Sequence, residues 1–329
     1  MHRSSSVLEY SFSHEIWPLK RPFVISRGSK VAAEVVVVRI KGDGFTGQGE
    51  AVPYGRYGET VKSVIAQLQE LTGSEDRRSI NSLLAPGAAR NALDCAFWDL
   101  EAKLTGVSAS ALAGMGSLSQ VMSAFTLSLG SPDEMAQQAV EASRLGLLKL
   151  KLGGGLEDEA RMRAVRAARP DARLIADANE AWTVDELVQL SLCAQELGFE
   201  MIEQPLAAGQ DDALSDFSSD IAICADESVH TADDLAGLVS RYKAVNIKLD
   251  KAGGLTQALV MVKQAREMGF KIMIGSMVGT SLAVSPALLL AQGADWVDLD
   301  GPLLLKEDRP FGLAIKDGFI APPLSALWG

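Results

Sequence analysis

The 329-residue sequence predicts an α/β fold: a TIM-like barrel of parallel strands preceded by a separate α+β domain. Two observations carry this. From about residue 120 onward, eight short runs rich in Val, Ile and Leu alternate with longer helical patterns, as successive βα units do. The chain is also longer than the size at which single cores usually stop growing, so a large barrel plus a smaller unit is the natural division.

Taken in order, EYSFSHEIWPL and VAAEVVVVRIKG predict antiparallel strands, and the segments around TVKSVIAQLQELT and AARNALDCAFWDLEAKL predict helices. Together they give an α+β domain over residues 1–115. The barrel follows over 116–305, with strands at 124–129, 147–152, 173–179, 200–205, 222–228, 244–250, 271–277 and 296–302. Helix starts are marked by Ser131 with Glu134 and by Thr183 with Glu186, both fitting the capping box, and Pro132 sits where a first-turn proline is tolerated. The tail, 306–329, is too short for a domain and is expected to return and complete the first one. In such a barrel the active site lies at the C-terminal ends of the strands.

Composition excludes several function classes. A formal net charge of −11 disfavours nucleic acid or an anionic membrane surface as partner, since both require a basic face. No uncharged apolar stretch of about 18 residues occurs, and MHRSSSVLEYSF lacks the apolar core of a signal peptide, which predicts a cytoplasmic protein. Cys95, Cys193 and Cys224 form no CxxC pair and read as buried hydrophobes. His2, His14 and His230 are scattered, which argues against a histidine metal cage or a Ser-His-Asp hydrolase. The sequence leaves the oligomeric state open, a homo-oligomer included.

Chemistry is concentrated at predicted strand ends. Asp177 in IADAN, Glu203 in IEQP and Asp226 in CADES are 26 and 23 residues apart, close to one βα unit each, so adjacent strands present three carboxylates at one rim. Such carboxylates repel one another, and an oxygen-only set suits a hard divalent cation, Mg²⁺ with Mn²⁺ as a substitute. Taken singly, each could instead be a helix N-cap. Lys149 and Lys151 in KLKL share a strand face and point into the barrel. Lys248 in NIKLD lies on the sixth strand, opposite the second, with Asn246 and Asp250 as a same-face polar set. A buried lysine near positive charge and a metal is expected to have its pKa pushed down, so that it serves as a base, unless it merely snorkels. Two such groups on opposite faces of one carbon invert it. Asp298 and Asp300 in DLDGP form a same-face pair that could receive an ammonium, or could bind solvent or cap the next turn. Gly153–Gly155 lacks the GK[ST] ending of a phosphate loop and reads as a βα turn, and GSK at 28–30 is equally weak.

The set KLK, DAN, EQP, ADES and NIKLDKAGG resembles the enolase superfamily, specifically its muconate-lactonizing subgroup. With PFVISRGS, PYGRYGE and DLDGP the resemblance narrows to the L-Ala-D/L-Glu dipeptide epimerases. It implies a modified TIM-type (β/α)7β barrel with an N-terminal capping domain, and an isomerase that moves the α-proton of the C-terminal glutamyl residue through an enediolate, using lysine bases and Mg²⁺. It further implies that Asp177, Glu203 and Asp226 bind one Mg²⁺ per subunit, that Lys151 and Lys248 are the acid/base pair, and that Lys149 neutralises the substrate carboxylate. Asp298 and Asp300 would hold the dipeptide's ammonium. Arg27 is the candidate for a glutamate side-chain carboxylate, with Arg56 second and Thr126 lining the same pocket. A role in recycling cell-wall peptides would follow. The rivals are a dipeptide epimerase of other specificity, an o-succinylbenzoate synthase or cycloisomerase on the same scaffold, and a binding protein without turnover.

Overall fold

The run Val35–Val38 has no polar alternation, and its side chains are buried on both faces of the strand that carries it. Val36, Val38 and Ile40 pack into the core of the N-terminal domain, while Val35 and Val37 join the barrel's core. A strand buried on both sides is how one sheet can serve two layers. The computed structural model describes residues 8–155 and 157–329. Residues 1–7, with His2 and much of the start judged to lack a signal-peptide core, and Leu156 lie outside the described residues.

The N-terminal unit is a meander of β1 (Glu9–Ile25), β2 (Gly28–Gly42) and β3 (Phe45–Ala51), with α1 (Val61–Gln69) and α2 (Ala88–Thr105) on one face. The sequence predicts β1, β2 and both helices but not β3, whose FTGQGEA lacks a hydrophobic signal. Its glycines are there for packing. A Cβ on Gly47 would stand 2.3 Å from the Ala96 carbonyl oxygen, and one on Gly49 2.2 Å from that of Ala92, so α2 can lie on β3 only where no side chain intervenes.

All eight barrel strands form where expected: β4 (Phe125–Leu127), β5 (Leu147–Lys151), β6 (Arg173–Asp177), β7 (Phe199–Glu203), β8 (Ala222–Ala225), β9 (Ala244–Ile247), β10 (Lys271–Gly275) and β11 (Trp296–Asp298). They pair in chain order, all parallel, and Ala124 N donates to Val297 O at 2.7 Å between the first and last strands. Both predicted capping boxes are present, at α3 (Pro132–Glu141) and at the helix Val184–Glu196. The pattern is thinner after β7, where a 3-10 turn, Asp212–Ser215, replaces a full helix, and after β8, where the α-helix is the single turn Leu235–Leu238.

The tail reaches the first domain, with Trp328 Nε1 donating to Cys95 O and Gly329 N to Asp99 Oδ1. It also pairs Phe319–Ile320 with Val121–Met122 beside the barrel. Among the described residues, no helix is long and apolar enough to cross a membrane.

Candidate active site

Consecutive parallel strands in register bring strand-end side chains together: Lys151 is opposite Asp177, and Asp177 opposite Glu203. Asp177, Glu203 and Asp226 are all essentially sealed from solvent. None caps a helix; Asp177 instead accepts from Asn179 N, and Asn246 Nδ2 donates to Glu203 Oε1 at 2.7 Å. Each acid answers to lysines. Lys151 Nζ lies 2.5 Å from Asp177 Oδ2, Lys248 Nζ 2.6 Å from Asp226 Oδ2, and Lys149 Nζ 2.6 Å from Glu203 Oε2 and 3.1 Å from Asp177 Oδ2.

Among the described residues, no three His, Cys, Asp or Glu side chains stand as an assembled metal cage. The donor chemistry nevertheless fits a hard cation. Burial and the neighbouring charges of Asp177 and Asp226 push the Glu203 carboxyl up to about 7, against the pull of Lys149. Its Oε2, close as it is to that ammonium, makes no hydrogen bond. A site whose middle carboxylate is crowded by like charge gains from added positive charge. Burial also works against the ionised forms of Asp177 and Asp226, but the lysines outweigh it and hold both well below the usual carboxylate range.

The lysines differ from the sequence expectation. Burial pushes Lys149 and Lys248 down, yet Asp298, Glu203 and Asp177 around the first and Asp226 and Glu203 around the second hold both well above the usual lysine range. Ion pairing, not proximity to positive charge, dominates this arrangement. The lysine whose pKa is lowered, chiefly by burial, is Lys251, which the sequence reading did not single out. Its Nζ donates to Asp226 Oδ1 at 2.5 Å and to the carbonyls of Asp226 and Asn246. The signal was present in LDKA, because a one-turn helix, Leu249–Ala252, returns Lys251 to the side of Lys248. The same helix corrects another expectation. Asp250 does not share the strand face with Asn246 and Lys248; it accepts from Val52 N and Asn91 Nδ2 of the N-terminal domain.

A cavity of about 430 Å³ opens above these groups, within the range that holds a small ligand. Lys149, Lys151, Lys248, Asp226, Asp298, Asp300, Thr126, Arg27 and Arg56 line it, while Asp177, Glu203 and Asn246 are buried outside its lining and Asp250 faces the N-terminal domain. On the last strand, Asp298 Oδ2 accepts from Lys149 at 2.7 Å and Asp300 Oδ2 from Thr126 N at 2.7 Å. Burial, then the charge of Asp298, pushes the Asp300 carboxyl up to about 7. Asp298 Oδ1 is buried and without a partner.

The opposite wall comes from the N-terminal domain. Arg27 Nη1 donates to Asn179 O and Glu180 Oε2, and its Nη2 to Glu227 Oε1 at 2.5 Å and Tyr54 Oη. Arg56 grips both oxygens of Glu180, at 3.0 and 2.9 Å. Neither Glu180 nor Glu227 is a candidate from the sequence: the first follows DAN, and the second sits within ADES beside the more prominent Asp226. The glycine turn binds no outside group through its amides: Gly153 and Gly154 donate to Asp158, and Gly155 to Glu186.

Two family models now cover nearly the whole chain: the mandelate racemase / muconate lactonizing enzyme N-terminal domain matches residues 8–114, and the enolase C-terminal domain-like model matches 133–326. The chain belongs to the enolase superfamily. This enolase-superfamily member is 47% identical to the L-Ala-D/L-Glu epimerase of Escherichia coli K12 over 92% of its own length and 96% of the relative's. It is 43% identical to an N-acetyl-D-glutamate racemase from a Pseudoalteromonas species, over 90% and 95%. In structure it is similar to an Agrobacterium tumefaciens enolase family member described as homologous to dipeptide epimerases, with bound sodium and L-Ala-L-Glu (TM-score 0.96, 47% identity, 98% of this chain and 100% of that one). The superfamily member is thus an enzyme of the isomerase class, as its motifs led one to expect.

Proposed function

We propose that this chain is a dipeptide epimerase of the L-Ala-D/L-Glu type, inverting the C-terminal residue's α-carbon by proton transfer between Lys151 and Lys248. The observation that carries the reading is the placement of these two ammonium groups on the second barrel strand and just beyond the sixth, both lining one cavity beside a buried carboxylate triad. Relatives and the liganded neighbour support it through what their own descriptions say.

Asp177, Glu203 and Asp226 would hold one Mg²⁺, or Mn²⁺ in its place. That ion supplies positive charge against the negative charge that builds on a substrate carboxylate as its α-proton departs. Lys149, its Nζ already among Asp177, Glu203 and Asp298, is placed to add a fixed positive charge there. One of Lys151 and Lys248 accepts the α-proton at Nζ, and the other returns a proton from Nζ to the opposite face. Asp298 and Asp300, with Thr126 beside them, receive the dipeptide's ammonium. The basic end of the cavity, with Arg27 and Arg56, seats an acidic side chain. We assign the cytoplasm and cell-wall peptide recycling as its setting.

The Pseudoalteromonas relative raises a second reading, an N-acylated glutamate whose α-carbon chemistry is the same. The buried Asp298/Asp300 pair favours the dipeptide, since an N-acyl group offers no cation to two carboxylates. Proton NMR in D₂O with Mg²⁺ decides. Loss of the glutamyl α-proton of L-Ala-L-Glu with appearance of the L-Ala-D-Glu diastereomer, stopped by EDTA, is the expected result. Exchange of N-acetylglutamate alone would transfer the assignment to the second reading, and exchange of neither sinks both.

A further inference from the structure

The hairpin joining β1 to β2 places two side chains side by side over the cavity. Phe23 and Lys30 are directly paired across it, so they share a face. That face looks inward: Phe23 lines the cavity, and Lys151 Nζ lies 5.9 Å from its ring centroid. Lys30 therefore projects over the same space, and its ammonium sits 4.9 Å from the centroid of Tyr54, which also lines it. A lysine this exposed would ordinarily be a solvated surface charge, but the cross-strand register and the Tyr54 contact direct this one to the cavity mouth.

The charges at this end of the cavity are unequal. Arg27, Arg56 and Lys30 are three cations, and Glu180 and Glu227 are two carboxylates. Both carboxylates are taken by the arginines, at 2.5–3.0 Å. Glu180 also accepts from Ala208 N, which fixes it to the barrel. Among the described residues, Lys30 has no carboxylate within ion-pair distance. An incoming carboxylate would have to displace Glu180 or Glu227 to take over an arginine's bonds, whereas Lys30 can accept it with nothing displaced.

We propose that Lys30 is the specificity-determining cation that receives the substrate's side-chain carboxylate, and that Arg27 and Arg56 are positioning residues that tie the two N-terminal-domain loops to the barrel through Glu180 and Glu227. This rests on the proposed epimerase reading and goes beyond it by moving the recognition of the distal carboxylate from an arginine to Lys30. A single charge-assisted contact also implies that acidic side chains are preferred but not exclusively required.

The test compares L-Ala-L-Glu with its uncharged counterpart L-Ala-L-Gln in wild type, Lys30→Met and Lys30→Arg. The expected result for Lys30→Met is a KM for L-Ala-L-Glu raised about 10- to 100-fold, as loss of one hydrogen bond to a charged group implies. The rise is confined to that dipeptide, and Lys30→Arg recovers most of it. Equal KM in wild type and Lys30→Met overturns the proposal, as does an equal loss for both dipeptides, which would mark a disturbed loop. If wild type exchanges the α-proton of neither dipeptide, the epimerase reading fails separately. Calorimetric titration of L-Ala-L-Glu and L-Ala-L-Gln into wild type and Lys30→Met then decides Lys30's role by whether the charged ligand alone loses affinity.

Discussion

The two walls of the cavity are built on different terms. The barrel wall sets its charges on strand ends: Lys149, Lys151, Asp177 and Glu203 are buried and held by parallel register. The wall from the N-terminal domain sets its charges on a hairpin tip and a 3-10 turn, where Arg27 and Arg56 keep about a quarter and about two-fifths of their side chains exposed. Groups meant for chemistry need fixed geometry, which strands provide, whereas groups that choose among side chains sit where sequence change is tolerated. If that division holds, changes on the barrel wall act on turnover and changes on the other wall act on substrate choice.

The largest effect is expected from the barrel wall. Lys151→Ala should lower the epimerisation rate by about 10²- to 10⁴-fold, the range for loss of a positioned acid/base group. Asp177 keeps Lys149 as a partner at 3.1 Å, so the fold survives, which circular dichroism checks. The informative readout is solvent deuterium exchange from each diastereomer separately. A two-lysine arrangement leaves exchange from one of them largely intact, and equal loss from both would count against opposite faces. Metal removal comes next. EDTA should abolish turnover, and Mg²⁺ at about 100 times its Kd should stabilise the protein by about 2.7 kcal/mol, read as a rise in melting temperature. No stabilisation by any divalent cation would remove the triad's proposed role.

The same contrast governs what the sequence disclosed. Eight strands, three strand-end acids and the lysine pair were legible because period-2 alternation and βα spacing are local patterns that survive folding. Lys251 escaped because the strand ends at Ile247 and a helical turn takes over, changing the period within one motif. Glu180 and Glu227 escaped because their role depends on Arg27 and Arg56, more than 120 residues away, a pairing no local pattern encodes. β3 escaped because the close approach of α2 demands glycines where a strand normally shows bulk. Lys30 was passed over within a weak GSK match, and only the pairing with Phe23 gives it a direction.

A sharper division within the barrel wall comes from Asp300→Asn. The amide oxygen can still accept from Thr126 N, so the loop is kept, while the charge that would meet an ammonium is lost. KM for L-Ala-L-Glu is expected to rise about 10-fold or more, from the loss of one charged hydrogen bond. N-acetyl-L-glutamate, which has no ammonium, should not lose, and its relative kcat/KM should improve. Equal weakening of both ligands would assign Asp300 to holding Thr126 in place and leave the ammonium without a receptor on this strand.

The smallest expected effect lies away from both walls and sets the background for the others. Ser131 caps α3, accepting from Glu134 N while Glu134 Oε2 accepts from Ser131 N in return. Both are exposed, and neither lines the cavity. Ser131→Ala should cost about 1 kcal/mol of stability and leave both KM and kcat within error. Thermal denaturation and the NMR assay on the same preparation check the two halves. A change in kcat here would mean that turnover follows barrel stability in general, and the rate losses expected of Lys151→Ala could no longer be attributed to proton transfer without correcting for it.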